Sequence, residues 1–176
     1  LQSRFVAELS QTDKPSQLRV LVTAGASGIG RVIAESFAQT GARLHICDIA
    51  DAALGEAKKT HPTWGVSRCD VSQSDQVARL FEEVGNNLGG LDVLINNAGI
   101  AGPTGGVEEI TADDWRRTVD INLNGQFYCA NRAVPLLKQS PNASIICISS
   151  VAGRLGYAYR TPYAATKWAI IGLTKS

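Results

Sequence analysis

Thr23-Ala24-Gly25-Ala26-Ser27-Gly28-Ile29-Gly30 is a glycine-rich segment that lies between two different hydrophobic patterns. An aliphatic run at residues 18–22 precedes it, and apolar residues at helical spacing follow it from Val32 to Ala38. This order predicts a buried strand, a tight turn and a helix that begins within the glycines. Because the first N–H groups of a helix are unpaired and its dipole attracts anions, the segment is typical of a phosphate-binding loop.

An acidic residue follows at the spacing that a dinucleotide site requires. Asp48 lies twenty residues after Gly28 and closes a second strand-like run at residues 43–47. A carboxylate there can accept both hydroxyls of an adenosine ribose, and it repels a 2′-phosphate. These features favour a dinucleotide site over a simple glycine turn. We expect its phosphates to contact Gly25, Ser27, Gly28, Ile29 and Gly30.

The bulk composition is that of an ordinary globular chain. It has 176 residues, of which 44% are hydrophobic, and a formal net charge of +1. Without a basic excess we expect neither a nucleic-acid nor a membrane partner, and no apolar run reaches the length of a bilayer span. The first residues form no apolar signal segment, so we expect a cytoplasmic protein.

The cysteines and histidines do not follow a metal-binding pattern. The two histidines, His45 and His61, lack ligand spacing, and the cysteines include no Cys-x-x-Cys pair. We therefore expect no metal site, and buried free thiols that act as small apolar side chains. The four cysteines are Cys47, Cys69, Cys129 and Cys147.

Strand-like and helix-like segments alternate along the chain. This alternation predicts an α/β protein with a doubly wound parallel sheet (Rossmann fold) in one domain over residues 18–176, after an N-terminal arm of residues 1–17. Ligands of such sheets bind at the carboxyl ends of the strands. Polar residues end the five predicted strands and should meet at that edge: Thr23, Asp48, Asp70, Asn96 and Ser149.

The segment Tyr163-Ala164-Ala165-Thr166-Lys167 places a phenol and an ammonium four residues apart in a predicted helix. A tyrosine hydroxyl ordinarily titrates near pH ~10, and an adjacent positive charge makes it a better base. Residues four apart share a helix face, so Lys167 can supply that charge to Tyr163. Ser150 follows a predicted strand and can hold a substrate oxygen. Taken singly, these residues are also typical of a helix surface and a strand-ending turn.

Taken together, the motifs resemble those of the short-chain dehydrogenase/reductase family, single-domain type, over residues 23–167. The glycine segment is similar to the family's Thr-Gly-x-x-x-Gly-x-Gly turn, and the thirteen-residue step from Ser150 to Tyr163 is the usual one. By this resemblance, Asp70 and Val71 contact the adenine, and the segment Asn96-Asn97-Ala98-Gly99 lines the cofactor site. The family's catalytic residues match Asn122, Ser150, Tyr163 and Lys167.

The resemblance implies hydride transfer between a secondary alcohol or ketone and a nicotinamide, with Tyr163 as general acid/base and Lys167 also holding the nicotinamide ribose. Asp48 favours NAD, while Arg31, just after the turn, keeps an NADP-dependent ketone or 3-oxoacyl reductase open. A non-catalytic dinucleotide-binding module is a further alternative. Family members commonly form dimers or tetramers, so we expect a homo-oligomer; Trp115 and Phe127 could lie at its interface, although packing in the core is the simpler expectation.

Two departures from the family pattern bear on these expectations. Ala24 stands where the family has the first glycine of the turn, which costs little at negative φ and more at positive φ. The family also continues with two more strands and a substrate loop after the position of Ser176. We therefore expect the sequence to be part of a longer enzyme, with the sheet truncated before its last two strands.

Overall fold

The structure is a computed structural model that describes residues 17–176, so nearly all of the predicted arm at residues 1–17 lies outside the described residues. Within these residues, helices separate five strands, and there are six α-helices in all. In order they are β1 (Arg19–Thr23), α1 (Gly28–Gln39), β2 (Arg43–Asp48), α2 (Asp51–Thr60), β3 (Gly65–Arg68), α3 (Ser74–Leu88), β4 (Val93–Asn96), α4 (Ala112–Val119), α5 (Gly125–Leu137), β5 (Ser144–Cys147) and α6 (Thr161–Lys175).

The strands form one parallel sheet in the order β3-β2-β1-β4-β5, so the prediction of a doubly wound sheet is confirmed. Val22 of β1 pairs with Ile46 of β2 on one side and with Ile95 of β4 on the other. The chain order reverses between β1 and β4, and the carboxyl ends of these strands therefore border the crevice where such sheets bind ligands.

Helices cover both faces of the sheet and form two separate cores. Val20 and Val22 of β1 pack with α1 and α2, whereas Leu21 points to the opposite face and packs with α3 and α5. This alternation follows from the two-residue period of a strand. All four cysteines are free, as predicted, and Cys47, Cys69 and Cys129 are buried in the core that contains Leu21. Cys147 is only half-buried, so the prediction of burial is wrong for this residue.

The apolar spacing of Trp115, Val119, Leu123 and Phe127 predicts one long helix from a Thr111 cap to about Lys138, and the family resemblance implies a kink in it at Asn122. In the structure this helix is interrupted. Thr111 caps α4 as predicted, since its hydroxyl accepts the N–H of Asp114 at 3.1 Å, but residues Asp120–Asn124 form a π-helical turn before α5. The expectation that Trp115 and Phe127 pack in the core is wrong, because their side chains are 41% and 49% exposed.

The sequence predicts that Ser72 or Ser74 caps α3, and the structure differs. Neither Ser72 nor Ser74 caps this helix; Gln73 occupies the N-cap position without a side-chain bond. Ser72 instead donates its hydroxyl and its backbone N–H to the carboxylate of Asp70, at 2.8 and 3.0 Å. Across residues 17–176, the helices are too short or too polar for any one of them to cross a membrane.

Candidate active site

The glycine loop connects β1 to α1 and is fixed by backbone contacts. The N–H of Gly25 donates to the carbonyl of Cys47 at 3.0 Å, and a Cβ on Gly25 would lie 2.9 Å from the side chain of Ile46. A Cβ on Gly30 would lie 2.1 Å from the carbonyl oxygen of Ala24. Only glycine therefore fits at positions 25 and 30 while the loop keeps this path.

Ala24 adopts a backbone conformation that favours glycine. Its φ is +48°, close to the φ of +53° at Gly28 in the same loop. For a residue with a Cβ this left-handed conformation costs about 1–2 kcal/mol. The departure from the family's glycine therefore leaves the turn in place and adds strain to it.

The segment after β4 braces the glycine loop from the other side. The hydroxyl of Thr23 accepts the N–H groups of Asn97 and Ala98, both at 3.0 Å. The side-chain amide of Asn97 donates to the carbonyls of Thr23 and Ala24 at 3.0 and 3.2 Å. The Asn-Asn-Ala-Gly segment thus fixes the carbonyl ends of β1 and β4 relative to each other.

The first turn of α1 has unused donors. Its first intrahelical bond runs from the N–H of Arg31 to the carbonyl of Ser27 at 3.1 Å. Among residues 17–176, no acceptor takes the N–H groups of Gly28, Ile29 or Gly30. These donors and the positive end of the helix dipole fit the pyrophosphate of a dinucleotide.

Asp48 is held rigidly at the end of β2. Its Oδ1 accepts the N–H groups of Ile49 and Ala50 at 2.8 and 3.2 Å, and its Oδ2 accepts the N–H of Ala26 at 3.2 Å. The residue is 8% exposed. Its carboxylate therefore connects the end of β2 to the glycine loop as well as facing the cleft.

A cleft of about 590 Å³ opens at the carboxyl ends of β1, β2 and β3. Asp48, Asp70 and Val71 line it from the sheet, and residues of α4 and the following π turn line it from the opposite side. The predicted cofactor residues that line this cleft are Ser27, Asp48, Asp70, Val71, Ala98 and Gly99.

A second cleft, of about 470 Å³, lies next to the first and shares four lining residues with it: Ala24, Ser27, Gly99 and Ile100. Together the two clefts form one groove along the carboxyl edge of the sheet. The predicted residues that line the second cleft are Ser27, Ile29, Gly30, Asn97, Gly99, Ser150, Tyr163 and Lys167. Three predicted residues line neither cleft: Gly25, Gly28 and Asn122.

Lys167 is a buried ammonium without a carboxylate partner among residues 17–176. It is 4% exposed, and its Nζ donates to the carbonyl of Ile148 at 2.8 Å. The Nζ lies 5.6 Å from the centroid of the Tyr163 ring. Burial disfavours the charged form and lowers the pKa of Lys167 below its ordinary value.

Ser149 and Ser150 have different partners. The hydroxyl of Ser149 donates to the carbonyl of Lys167 at 2.8 Å and so joins the end of β5 to α6. The Oγ of Ser150 accepts the N–H of Ala152 at 3.2 Å, at the start of the 3-10 turn Val151–Gly153. Because the backbone supplies a proton to Ser150, its own hydroxyl proton remains free to donate into the cleft.

Asn122 connects three segments through its side chain. Its Oδ1 accepts the N–H of Ile100 at 2.7 Å, and its Nδ2 donates to the carbonyl of Ile100 at 2.9 Å and to the hydroxyl of Thr166 at 3.1 Å. The residue is fully buried in the π turn. The backbone irregularity therefore brings this amide to the loop after β4 and to α6.

Sequence reasoning missed several residues that the site uses. The side-chain amide of Asn122 donates to Ile100 and Thr166, and the ammonium of Lys167 donates to Ile148. Ile100 and Ile148 accept through backbone carbonyls, which the residue type does not reveal. Arg116 and Arg117 of α4 also line the first cleft. Arg117 lies four residues before Ile121, and this helical spacing was a signal that could have found it. Within residues 17–176, no three His, Cys, Asp or Glu residues form a metal-binding group.

This fold and this groove are those of a doubly wound nucleotide-binding protein. The sequence model of the family described as short chain dehydrogenase matches residues 18–176, and the chain therefore belongs to that family. The resemblance inferred from the glycine turn and the Ser-Tyr-Lys residues is confirmed.

Individual relatives support the same conclusion. The chain is 39% identical to a 3beta-hydroxysteroid dehydrogenase of Mediterraneibacter gnavus, over 89% of this chain and 58% of that protein. It is 36% identical to a 2-dehydro-3-deoxy-L-rhamnonate dehydrogenase (NAD(+)) of Sphingomonas sp., over 89% and 63%. The ligand-free aldohexose dehydrogenase of Thermoplasma acidophilum has a similar structure, with a TM-score of 0.82 and 37% identity over 90% of this chain and 59% of that one. The chain thus spans about three fifths of their lengths.

Proposed function

We propose that the protein is an NAD-dependent oxidoreductase that transfers a hydride between a secondary alcohol or ketone and the nicotinamide. The observation that carries the proposal is that Ser150, Tyr163 and Lys167 line one cleft together with Gly30 of the glycine loop. The cofactor supplies the hydride acceptor or donor. The residues of the chain bind both molecules and move the proton.

Tyr163 is the general acid/base in this proposal. When an alcohol is oxidised, the phenolate oxygen of Tyr163 takes the proton of the alcohol hydroxyl. When a ketone is reduced, the phenol of Tyr163 gives a proton to the ketone oxygen. Ser150 donates its free hydroxyl proton to the same substrate oxygen, because its Oγ already accepts from Ala152. This bond fixes the oxygen for proton transfer and stabilises the charge that develops on it.

Lys167 supplies a positive charge beside the Tyr163 ring, and that charge favours the phenolate. The same ammonium has donors left for the hydroxyls of the nicotinamide ribose, since one of its three is used by Ile148. Asn122 acts on the site indirectly: its bonds to Ile100 and Thr166 position the cleft wall and the turn of α6 that carries the lysine.

Two observations support NAD over NADP. The carboxylate of Asp48 faces the cleft and would repel a 2′-phosphate. Arg31, which could have received that phosphate, is engaged elsewhere: its Nε donates to Glu35 at 2.6 Å and its Nη2 to Thr60 at 2.8 Å, and its guanidinium lies 5.5 Å from the ring centroid of Trp64. The Sphingomonas relative is itself a dehydrogenase named for NAD(+).

The relatives also guide the proposed substrate class. Their names refer to hydroxysteroid, deoxy-sugar acid and aldohexose substrates, which share an oxidisable CH–OH group. We propose a secondary alcohol or the matching ketone for this chain, and a homo-oligomer that covers the exposed Trp115 and Phe127. The four free thiols favour a cytoplasmic location.

Titration with NADH and with NADPH, followed by the fluorescence of the reduced nicotinamide, tests the cofactor assignment. We expect NADH to bind at least about tenfold more tightly than NADPH. Turnover of a panel of secondary alcohols with NAD then tests catalysis. Tighter binding of NADPH would overturn the cofactor choice. Tight NADH binding with no turnover of any alcohol or ketone would favour a non-catalytic binding module instead.

A further inference from the structure

The first cleft lies between the sheet and one face of α4, and residues on that face line it. These residues lie at intervals of three and four, which places them on one side of α4 and of the π turn. They are Asp113, Arg116, Arg117, Asp120 and Ile121. The cleft therefore has a wall with two guanidinium groups, and the motifs of the glycine loop and of the catalytic residues do not account for this wall.

The two arginines differ in their partners. Arg116 donates to the carboxylate of Asp113 at 3.1 Å. Within the described part of the chain, Arg117 has no carboxylate within salt-bridge distance and no hydrogen bond from its side chain. A guanidinium that lines a cleft without a protein partner is available to a ligand.

The backbone around Arg117 is fixed. The next residue, Thr118, is 1% exposed, and its hydroxyl donates to the carbonyl of Asp114 at 2.8 Å. A Cβ on Gly102 would lie 2.8 Å from that hydroxyl oxygen, so the loop after β4 packs closely against the helix. Ile121, one turn further along the same face, packs against the core that contains Val71. The base of the Arg117 side chain is therefore held in place beside the cleft.

We propose that Arg117 binds the adenine ring of the dinucleotide, with its guanidinium plane against the face of the base. This inference rests on the proposed function, which assigns the first cleft to the adenosine half. Asp48 and Asp70 line the sheet side of that cleft and suit the ribose hydroxyls and the amino group of the base. A planar, weakly hydrated guanidinium on the opposite wall suits the π face of the base.

The test compares the Arg117→Gln variant of the intact protein with the unsubstituted protein, using NADH, AMP and reduced nicotinamide mononucleotide as probes. We expect the variant to bind NADH and AMP about three- to tenfold more weakly, the range of a cation–π contact. Binding of the mononucleotide, which lacks adenine, stays within about twofold. Arg132→Gln, on the exposed side of α5, is the matched control and should leave all three affinities unchanged.

An Arg117→Lys variant separates stacking from charge. Lysine keeps the positive charge and its attraction to the ring face but loses the planar stack, so we expect it to recover the NADH affinity only in part. Three results would each overturn the stacking role alone: full recovery of NADH affinity with lysine, an equal loss for the mononucleotide, or an unchanged NADH affinity in Arg117→Gln. Failure of the unsubstituted protein to bind NADH would overturn the proposed function and this inference with it.

Discussion

The Nζ of Lys167 lies 5.6 Å from the centroid of the Tyr163 ring while it donates a hydrogen bond to the carbonyl of Ile148. The ammonium is thus held beside the phenol by a strand end rather than by a carboxylate. A carboxylate partner would neutralise the charge that the phenol needs, whereas a carbonyl leaves it available. The pair differs in this way from a structural salt bridge on a helix surface.

Removal of the phenol hydroxyl should separate catalysis from binding. We expect Tyr163→Phe to lower kcat by about 10²- to 10⁴-fold, because the proton at the substrate oxygen then has no acceptor. Its dissociation constant for NADH should stay within about twofold. Tyr128→Phe, a phenol on α5 that lines neither cleft, is the control and should keep full activity. Retention of turnover in Tyr163→Phe would show that another group moves the proton.

Removal of the ammonium should affect both steps. We expect Lys167→Met to bind NADH about tenfold more weakly and to need a higher pH for alcohol oxidation, because the site loses the positive charge beside the Tyr163 ring. A pH profile of kcat for the variant and the unsubstituted protein measures this shift. Lys175→Met, at the exposed end of α6, is the control. An unchanged pH profile would contradict an electrostatic role for Lys167.

A conservative change at Asp48 should alter cofactor choice. We expect Asp48→Asn to weaken NADH binding about 10- to 100-fold through loss of the charged acceptor, and to bind NADPH more tightly because the repulsion of the 2′-phosphate is gone. Asparagine keeps one oxygen for the N–H groups of Ile49 and Ala50. Asp51→Asn removes a nearby exposed charge and should change neither affinity. An unchanged NADH-to-NADPH ratio would remove the ribose role from Asp48.

The sheet and the edge of the site followed from the sequence because they depend on local patterns and on chain handedness. The alternation of strands and helices, with right-handed crossovers, permits few orders besides the observed one. The π turn did not follow from the local pattern, because it is stabilised by the pairing of Asn122 with the backbone of Ile100, twenty-two residues away; only the family resemblance implied a kink at Asn122. For the same reason Ser72 was misplaced as a helix cap: its preference for Asp70 depends on where β3 ends.

Exposure of the aromatic residues was unpredictable for a different reason. Trp115 and Phe127 recur at helical spacing, but spacing alone cannot tell a face that packs on the sheet from one that lies outside it. At Ala24 the sequence did indicate the unusual position, since an alanine stands where the family has a glycine. Only the φ of +48° in the structure showed that this alanine is strained.

Two reciprocal substitutions measure that strain. We expect Ala24→Gly to raise the free energy of unfolding by about 0.5–1 kcal/mol, because relief of the left-handed strain exceeds the added entropy of the unfolded chain. Gly28→Ala should lower it by a similar amount, since φ is +53° there and the new Cβ would meet no atom within 4 Å. Urea unfolding at neutral pH gives both values. A loss of stability in Ala24→Gly would mean that the methyl contacts of Ala24 outweigh its strain.

His45 is a buried imidazole whose protonation opposes folding. It is 3% exposed, its Nε2 lies 2.7 Å from the hydroxyl oxygen of Ser67, and its buried Nδ1 has no partner among residues 17–176. Ser67 in turn donates to Glu83. Burial lowers the pKa of His45 to about 4, below its ordinary value, although the charge of Glu83 partly offsets this effect.

The sign of the pH effect follows from that lowered pKa. The unfolded chain binds a proton at His45 once the pH falls below about 6.5, whereas the folded protein does so only near pH 4, so the free energy of unfolding falls across this interval by up to about 3 kcal/mol. His45→Gln keeps a donor for Ser67 and should flatten this slope in urea unfolding measured from about pH 7 to pH 4. Asp92 does not contribute to this slope. The paired Arg19 lowers the pKa of the Asp92 carboxyl, so the contribution of Asp92 to the free energy of unfolding is lost only in more acidic solution. An equal slope in His45→Gln would assign the acid sensitivity to other groups.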